Sequence, residues 1–258
     1  MSSIPKISVI ICAYNRANLL PIALESALMQ TFADLELIVL DDASKEDIKS
    51  VLPHDPRIVY IRNEKNRGIA KSRNRALDAA RGEFVAVLDS DDFWTDREKL
   101  ATQLAYLDEH PHISAVGTWA EIIDREGDPK GEIVNASDPK EIYRDMLRRN
   151  PLVHSSVLYR KAAALKAGGY DESLAIWEDY GLWLKMNAQK GSKTHPVIAN
   201  ISEKMVAYRR HSHQSDSGIR AKAAFENLKL VFRYRKSYPG RVSGILKGIA
   251  RTGVALFR

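Results

Sequence analysis

Apolar positions along the first half of the chain follow two different spacings. Short runs rich in β-branched residues predict strands over Ile7–Cys12, Leu35–Leu40, Arg57–Ile61 and Phe84–Leu88. Apolar side chains three and four residues apart predict helices over Leu19–Gln30, Gly68–Ala80 and Arg97–Glu109. Strands that alternate with helices in this way form a mainly parallel sheet through right-handed crossovers. We therefore expect an α/β fold whose sheet is flanked by helices.

The second half of the chain is less regular and predicts a mixed sheet. Its strand-like segments are Ile113–Thr118, Glu121–Asp124, Ser155–Tyr159, Val197–Ala199 and Lys204–Tyr208. The pattern also predicts a helix over Asp179–Gln189 and a Gly/Pro turn at residues 126–129. No repeat and no linker rich in Ser, Gly or Pro separates the two halves. We therefore expect residues 1–218 to form one folded domain.

The basic charge of the chain is concentrated in its last 40 residues. The 258 residues carry a net charge of +6, but residues 219–258 hold ten Lys or Arg against the single acid Glu226, a net charge of +9. The remaining residues, with 29 basic and 32 acidic side chains, carry −3. A basic tail is compatible with acidic lipid or with nucleic acid, so the sign of the charge alone does not identify a partner.

The tail from Arg241 to Arg258 has the pattern of an amphipathic helix. On a helical projection its apolar side chains fall within an arc of about 120° and its basic side chains lie opposite. The apolar set is Val242, Ile245, Leu246, Ile249, Leu256 and Phe257, and the basic set is Lys247, Arg251 and Arg258. This pattern predicts a helix that lies on an anionic membrane surface. Packing of the helix on its own domain is the main alternative, RNA binding is a distant third, and we expect no nucleic-acid partner.

Cysteine content and hydropathy indicate the compartment. Cys12 is the only cysteine, which excludes a disulfide framework and favours a reducing environment. Residues 1–6 do not have the pattern of a signal peptide, and no run reaches the roughly 18–20 apolar residues that span a bilayer. We expect a cytoplasmic protein, held at the inner face of the membrane by its tail.

Three aspartates follow the fourth predicted strand directly. Asp89, Asp91 and Asp92 come after the apolar run Phe84–Leu88, and polar residues also follow the first and second strands. Ligands of open α/β sheets bind at the carboxyl ends of the strands. Hard divalent ions at such places are held by one or two carboxylates together with substrate phosphates. The sequence therefore predicts a metal–diphosphate site, although Asp92 or Asp96 could instead cap the helix that follows.

Taken together, these segments resemble the family 2 glycosyltransferases of the GT-A fold. The resemblance runs from Ile7 to about Ser215 and is specific in the order and spacing of its motifs. The motifs are Ser8–Arg16 (SVIICAYNR), Leu40–Ser44 (LDDAS), Asn66–Gly68 (NRG), Ser72–Leu77 (SRNRAL), Leu88–Asp92 (LDSDD), Gly168–Asp171 (GGYD), Trp177–Tyr180 (WEDY) and Tyr208–His211 (YRRH). The resemblance implies a GT-A domain in which residues 1–112 bind a nucleotide-sugar and residues 113–218 bind the acceptor.

The family pattern also implies a donor site and a metal site. The implied donor-binding residues are Ala13, Tyr14, Arg16, Asp42, Gly68, Arg73, Asp89, Ser90 and Asp91. Asp91 is the implied ligand of Mn²⁺ or Mg²⁺, and His211 is a further candidate ligand as a neutral imidazole. Several alternatives stay open: Tyr14 or Arg16 could instead be a packing residue, Arg73 could form a helical salt bridge, and His211 could be an exposed loop residue.

On the acceptor side, the resemblance assigns the general base to Asp179 and an orienting role to its neighbour Glu178. A carboxylate beneath the acceptor hydroxyl can take its proton as the diphosphate leaves on the opposite face. Both acids could instead be residues favoured by the dipole at a helix N-terminus.

The function that we expect is a metal-dependent inverting glycosyltransferase in surface polysaccharide synthesis, with a UDP-sugar donor and a glycan or lipid-linked acceptor. A sugar nucleotidyltransferase and a non-catalytic nucleotide-binding or membrane scaffold are the alternatives. The sequence leaves the oligomeric state open.

Overall fold

The computed structural model describes residues 4–188, 197–210 and 220–256. Within these residues the strands are β1 (Ile7–Ala13), β2 (Leu35–Asp41), β3 (Ile58–Arg62), β4 (Phe84–Asp89), β5 (Phe93–Trp94), β6 (Ala115–Ile123), β7 (Pro129–Ile133), β8 (Leu158–Arg160) and β9 (Ile198–Arg209). The α-helices are α1 (Leu20–Leu28), α2 (Ile69–Ala79), α3 (Lys99–Glu109), α4 (Pro139–Asp145), α5 (Lys161–Lys166), α6 (Glu178–Asn187), α7 (Arg220–Tyr234) and α8 (Arg241–Leu256).

The strands form one mixed sheet in the order β3-β2-β1-β4-β8-β6-β9-β5, with β7 paired to β6. The four strands from the first half pair in parallel, as the strand–helix alternation predicts. Strands β4 and β6 then pair antiparallel with β8, and β6 pairs in parallel with β9. The sheet is therefore continuous across the two halves of the chain, and its first four strands confirm the predicted parallel α/β arrangement.

Two hydrophobic layers cover the sheet, which is why its central strands are buried on both faces. On one face, Ile10 and Ile38 pack with residues of α2, α6 and α7. On the other, Ile11 and Val39 pack with residues of α1 and α3. Strands with both faces covered have continuous apolar runs in the sequence. For this reason the ends of β1, β2 and β4 were predicted to within one residue.

Strand register brings three loops to the same edge of the sheet. Ala13 at the end of β1 pairs with Asp41 at the end of β2, and Cys12 pairs with Asp89 at the end of β4. The loops that leave these strands therefore begin side by side, as the sequence predicts for a ligand crevice at the carboxyl ends of parallel strands.

Two predicted strand breaks are wrong. The segments 113–118 and 121–124 belong to the single strand β6, and the segments 197–199 and 204–208 belong to the single strand β9. In β9 the polar residues Ser202 and Glu203 lie in a bulge, because Thr118 pairs with Ile201 while Trp119 pairs with Lys204. A bulge inserts unpaired residues without ending the strand, and in sequence it resembles a turn.

The predicted strand Ser155–Tyr159 also begins too early. Residues His154–Ser156 form a 3₁₀ turn, and β8 begins at Leu158. The Ser156 hydroxyl donates to the backbone oxygen of Val153 at 2.7 Å, which stabilises the turn conformation. Ser side chains that bond to nearby backbone groups compete with strand pairing, and here that competition decides the local structure.

The C-terminal segment forms a helical hairpin of α7 and α8 on the body of the protein. Inward-facing α7 residues such as Leu230 and Val231 join the main core. Helix α8 turns Gly244 and Gly248 inward: a Cβ at Gly244 would lie 2.8 Å from Leu147 Cβ, and one at Gly248 would lie 2.8 Å from Leu228 Cδ1. The predicted tail is therefore a helix that packs on its own domain, and Ile245 of its predicted membrane face packs against the main core. Among the described residues, no helix is both long and apolar enough to cross a membrane.

We expect Gly244→Ala to weaken the seating of α8 although alanine favours the helix itself. Alanine improves intrinsic helix propensity by about 1 kcal/mol. The new methyl group would also lie 2.9 Å from the backbone oxygen of Leu147, which cannot move aside like a flexible side chain. Overpacking of this kind costs about 1–3 kcal/mol. Amide hydrogen exchange across α8 should accelerate in Gly244→Ala and stay unchanged in the control Val242→Ala, whose side chain is exposed. Slower exchange in Gly244→Ala would contradict the close contact.

Candidate functional site

The crevice at the carboxyl ends of β1, β2 and β4 contains most of the predicted donor residues. The loop after β1 is joined to the loop after β2 by Asn15, a residue that the sequence analysis did not select. Its backbone N–H donates to Ser44 Oγ at 3.0 Å, and its Oδ1 accepts from the Lys45 N–H at 2.8 Å. Asn15 has a φ of 54°, a left-handed conformation that asparagine tolerates better than most residues, which is the signal that could have identified it.

Two predicted donor residues in the loop after β1 differ in exposure. Tyr14 is 43% exposed and is therefore not part of the core. Arg16 lies next to the loop after β4, residues 89–92, which we call the acidic loop; its Nε is 3.8 Å from Asp91 Oδ2. Ala13 contributes its backbone oxygen, which accepts from the Asp42 N–H at 2.9 Å. An exposed aromatic ring and a cation thus border the crevice, where they could cover a flat base and contact a phosphate.

Asp42 is buried and holds the turn that precedes α2. Its Oδ1 accepts from the Arg67 N–H at 2.8 Å and from Asn63 Nδ2 at 2.6 Å, and its Oδ2 accepts from the Gly68 N–H at 2.9 Å. Gly68 has a φ of 85°, in the region that favours glycine. Asp42 therefore positions the backbone in front of α2 in addition to its predicted place at the donor.

The three aspartates after β4 have different partners. Asp89 Oδ1 accepts from Arg73 Nη2 at 2.5 Å, and the Asp89 N–H donates to Ser155 Oγ at 3.1 Å. Asp92 is buried; it accepts from Ser155 Oγ and, at 2.7 Å, from the Arg209 N–H. Asp91 follows Ser90 in the turn, and its side chain is 16% exposed near Arg16. Asp92 therefore connects the loop after β4 to Ser155 and β9 and does not cap a helix. Asp91 remains at the crevice.

The pKa of Asp92 reflects its position. Burial, followed by the negative charges of Asp91 and Asp89, raises its pKa well above the ordinary value. Asp96, the other proposed cap, accepts from the Glu98 N–H at 2.7 Å just before α3.

Arg73 joins the loop after β4 to the start of α6. Its guanidinium forms ion pairs with Asp89 from the loop after β4 and with Glu178 at the start of α6. Its Cζ also lies 5.8 Å from the centroid of the Tyr170 ring. A guanidinium presents several donors in a rigid fork and can bind two carboxylates at once. Both partners lie outside α2, so the alternative of a salt bridge within the helix is wrong, and the donor-binding role of Arg73 stays a prediction.

We expect Arg73→Met to destabilise the protein because it leaves two carboxylates without their counter-ion. Removing one partner of a buried ion pair costs about 3–5 kcal/mol. The loss should be larger above neutral pH, where both carboxylates ionise, because the pKa of Glu178 is about 7 even with Arg73 beside it. It should be smaller in acid, where Asp89 and Glu178 become protonated and no buried charge is left unpaired. The free energy of unfolding would be measured with urea in acid and above neutral pH. Lys71→Met is the control because Lys71 is exposed on the same helix. Equal losses for the two variants would show that the bridge is not important for stability.

Glu178 and Asp179 begin α6 after an unusual backbone turn. Trp177 has a φ of 52°, and its indole Nε1 donates to the Ala223 backbone oxygen at 2.7 Å. Asp179 Oδ2 accepts from Asn150 Nδ2 at 2.8 Å, a partner that the sequence analysis missed because it lies 29 residues away. The two acids are thus fixed by contacts with α7 and with the segment after α4.

Burial raises the pKa of both acids. For Glu178 the burial effect outweighs the opposing charge of Arg73 and raises the pKa to about 7. For Asp179 burial also raises the pKa, although the charge of Arg73 and the hydrogen bond from Asn150 oppose the shift. A raised pKa makes a carboxylate a better proton acceptor, which suits the predicted role of Asp179.

The acidic loop can hold a hard cation in combination with a substrate. The described residues contain no group of three His, Cys, Asp or Glu side chains that could bind a metal ion by themselves. An ion that shares its ligands with a diphosphate needs only one or two carboxylates, and carboxylate oxygen is the donor type that Mg²⁺ and Mn²⁺ prefer. The residues present therefore fit such an ion. His211, the second predicted ligand, lies outside the described residues.

Comparison with known proteins identifies the family. The family model described as glycosyl transferase family 2 matches residues 8–168, which include the donor crevice and the acidic loop. The chain belongs to this family. The recognition drawn from the sequence motifs is confirmed, and the family supports a glycosyltransferase rather than a sugar nucleotidyltransferase.

Curated relatives of this glycosyltransferase cover most of its length. EpsE of Bacillus subtilis, whose name places it among the glycosyltransferases, is 31% identical in an alignment of 241 residues that covers 89% of this chain and 85% of EpsE. The Escherichia coli UDP-Glc:α-D-GlcNAc-diphosphoundecaprenol β-1,3-glucosyltransferase WfaP is 32% identical in an alignment of 190 residues that covers 72% of each chain.

Solved structures confirm the GT-A fold. Staphylococcus aureus TarS 1-349 in complex with UDP-GlcNAc superposes with a TM-score of 0.73 at 21% identity, over 95% of this chain and 72% of that one. The mannosyltransferase PcManGT of Pyrobaculum calidifontis, in complex with GDP-Man and Mn²⁺, superposes with a TM-score of 0.67 at 19% identity. The superposition covers 98% of this chain and 73% of PcManGT. The predicted fold class, a mixed and mainly parallel sheet flanked by helices, is therefore confirmed.

Proposed function

We propose that this glycosyltransferase moves a sugar, with inversion, from a UDP-sugar to a glycan or lipid-linked acceptor in surface polysaccharide synthesis. The observation that carries the proposal is the Arg73 bridge, because one guanidinium binds Asp89 on the donor side and Glu178 on the acceptor side. A carboxylate of the proposed donor site and a carboxylate of the proposed acceptor site therefore border the same crevice. This arrangement favours direct transfer between a donor and an acceptor that are bound side by side.

The proposed donor site comprises the residues that border the crevice. They are Ala13, Tyr14, Arg16, Asp42, Gly68, Arg73, Asp89, Ser90 and Asp91. In this site Tyr14 covers the base, Arg16 contacts the diphosphate, and the backbone that Asp42 holds before α2 faces the nucleotide. Support comes from two structural neighbours whose complexes contain nucleotide-sugars, UDP-GlcNAc in TarS and GDP-Man in PcManGT.

A divalent cation, Mn²⁺ or Mg²⁺, is part of the proposal. When bound, it would neutralise the charge that develops on the diphosphate as the glycosidic bond breaks. Asp91 would be its protein ligand, Asp89 would bind the ribose or a metal-bound water, and His211 is the further candidate. Support comes from the exposed edge of Asp91 and from the Mn²⁺ complex of PcManGT.

Asp179 is the proposed general base. The carboxylate takes the proton of the acceptor hydroxyl as the new glycosidic bond forms. Asn150 orients the carboxylate through the hydrogen bond to Oδ2. Glu178 acts as an orienting neighbour through its ion pair with Arg73. The raised pKa of Asp179 supports this assignment.

The proposed acceptor and location rest on the tail and on one relative. The name of WfaP gives its acceptor as a sugar linked to diphosphoundecaprenol, a lipid carrier. A lipid-linked acceptor requires an enzyme at the membrane, and we place residues 241–258 on the anionic inner face of the cell membrane. We also propose that residues 1–112 bind the donor, that residues 113–218 bind the acceptor, and that the basic helical tail of residues 219–258 attaches the enzyme to the membrane.

Slow hydrolysis of the donor tests the function without knowledge of the acceptor. A panel of UDP- and GDP-linked sugars would be incubated with the full chain and with Mn²⁺, Mg²⁺ or a chelator, and release of the nucleoside diphosphate would be measured. We expect release from a UDP-sugar that depends on the metal. Release at the same rate with the chelator would remove the metal from the proposal, and no release from any member of the panel would overturn the donor class.

A further inference from the structure

The outer side of α7 carries two exposed aromatic residues. Phe225 and Phe232 are 53% and 42% exposed, and their spacing of seven residues places them on the same side of the helix. The opposite side of α7 faces the body: Glu226 Oε2 accepts from the Ile176 N–H, and Leu230 is buried in the main core. The two phenylalanines therefore face away from the protein.

Helix α8 also has an exposed apolar side. Val242, Leu246 and Ile249 are 64%, 61% and 51% exposed, and their spacing of four and three residues places them in one stripe. Gly244 and Gly248 contact Leu147 and Leu228 on other sides of the helix, so the stripe faces outward. Five of the twelve large hydrophobic residues that are exposed in the described part of the chain thus belong to this hairpin. Clustered exposure of this kind marks an interaction surface.

The charge around these residues identifies the kind of partner. The Lys229 ammonium lies 4.6 Å from the centre of the Phe225 ring, and the Arg235 guanidinium lies 5.8 Å from the centre of the Phe232 ring. Lys222 and Lys236 are also exposed on α7 and just after it. The single acid of residues 219–258, Glu226, is buried on the inner side. A second copy of the same face would oppose like charges, whereas anionic lipid provides both negative headgroups and an apolar layer.

The geometry points to a two-helix membrane surface: we propose that α7 and α8 lie together on an anionic bilayer, with Phe225, Phe232, Val242, Leu246 and Ile249 at the acyl boundary. The inference rests on the proposed function in that a lipid-linked acceptor explains why the enzyme is at the membrane. It adds α7, which the amphipathic pattern of residues 241–258 did not include. Apolar residues surrounded by Lys and Arg are typical of interfacial helices.

The same helix connects this surface to the acceptor carboxylates. On its inner side α7 binds the backbone of Ile176 through Glu226 and the indole of Trp177 through the Ala223 backbone oxygen. Glu178 and Asp179 follow directly in the chain. Docking of the outer side would therefore place α7, about 10–12 Å in diameter, between the lipid surface and the segment that leads into the proposed base. A sugar attached to a membrane lipid through a diphosphate would then be close to the crevice.

Vesicle binding of paired variants tests the surface. The full-length chain and the variants Phe225→Ser/Phe232→Ser and Leu246→Ser/Ile249→Ser would be sedimented with vesicles that contain phosphatidylglycerol or only phosphatidylcholine. The control is Ile22→Ser/Leu165→Ser, which removes exposed apolar residues on the body. We expect the wild type and the control to bind the anionic vesicles, and each hairpin variant to bind them roughly tenfold to a hundredfold more weakly because apolar burial is lost. Thermal unfolding of all variants should coincide because every substituted side chain is exposed.

The outcomes separate this inference from the proposed function. Donor hydrolysis should be equal in the wild type and in all variants, and absence of hydrolysis in the wild type would overturn the donor class while leaving a measured vesicle interaction intact. Unchanged vesicle binding in Phe225→Ser/Phe232→Ser would remove α7 from the surface. Equal binding to neutral vesicles would overturn the role of charge, and a dimer in solution that the hairpin substitutions dissociate would assign the face to self-association.

Discussion

Replacement of Asp91 by asparagine is expected to abolish the enhancement of nucleoside diphosphate binding by Mn²⁺ and to reduce transfer below detection. The amide keeps the shape of the side chain but removes the negative charge that a hard cation requires. Because Asp89 is paired with Arg73 and Asp92 with backbone and Ser155, neither neighbour is placed to substitute for it. Calorimetric titration of UDP with and without Mn²⁺ measures the effect independently of activity.

The matched control for this experiment is Asp108→Asn, because Asp108 is an exposed carboxylate on α3 outside the crevice. It should leave both the metal enhancement and the transfer rate unchanged. Thermal unfolding should show that Asp91→Asn retains the fold. If Mn²⁺ strengthens UDP binding equally in Asp91→Asn and in the wild type, Asp91 does not hold the cation.

For Asp179→Asn we expect a fall in kcat of roughly 10²–10⁴, the usual contribution of a general base. Donor binding should change little because Asp179 belongs to the proposed acceptor side, where its Oδ2 accepts from Asn150 Nδ2 at 2.8 Å. The measurement is the transfer rate at saturating donor, together with the UDP affinity of the variant. A rate within a few-fold of the wild type would assign proton transfer to another group, and Glu178→Gln identifies whether that group is the adjacent acid.

The pH dependence of kcat/KM should report the same carboxylate. Asp179 acts as a base only when it is ionised, so activity falls as the pH drops through its pKa, which burial raises above the ordinary value of 3.8. The hydrogen bond from Asn150 stabilises the ionised form and lowers the pKa. We therefore expect Asn150→Ala to shift the acid limb to higher pH. A limb that is unchanged in Asn150→Ala but absent in Glu178→Gln would identify Glu178, whose pKa is about 7, as the titrating group.

The order of elements in the first half was predictable because its signals are local. Strands β1, β2 and β4 are buried on both faces and appear as unbroken apolar runs, and α2 has a regular apolar stripe. Parallel strands place their carboxyl ends at one edge. From this rule alone, the sequence predicted that the loops after β1, β2 and β4 would meet, and the strand register confirms it.

The irregular half was predicted less well because its structure depends on distant partners. Strand β9 continues through its polar residues because β6 pairs with both of its ends around the bulge. The 3₁₀ turn at His154–Ser156 brings Ser155 to Asp92 and to the Asp89 N–H, contacts with residues more than sixty positions away. Neither the bulge nor the turn has a periodicity that a local window of sequence could detect.

By itself the sequence determined the α/β class, the family and the residue types of the crevice, since periodicity and motif spacing are properties of neighbouring residues. Only the tertiary structure decided how those residues are used. Arg73 pairs with Asp89 and Glu178, two acids that are 89 residues apart in the chain, and Asp179 is held by Asn150. It also decided that Gly244 and Gly248 of α8 face inward while Val242, Leu246 and Ile249 stay exposed. Such pairings arise from the packing of distant segments, which no local pattern encodes.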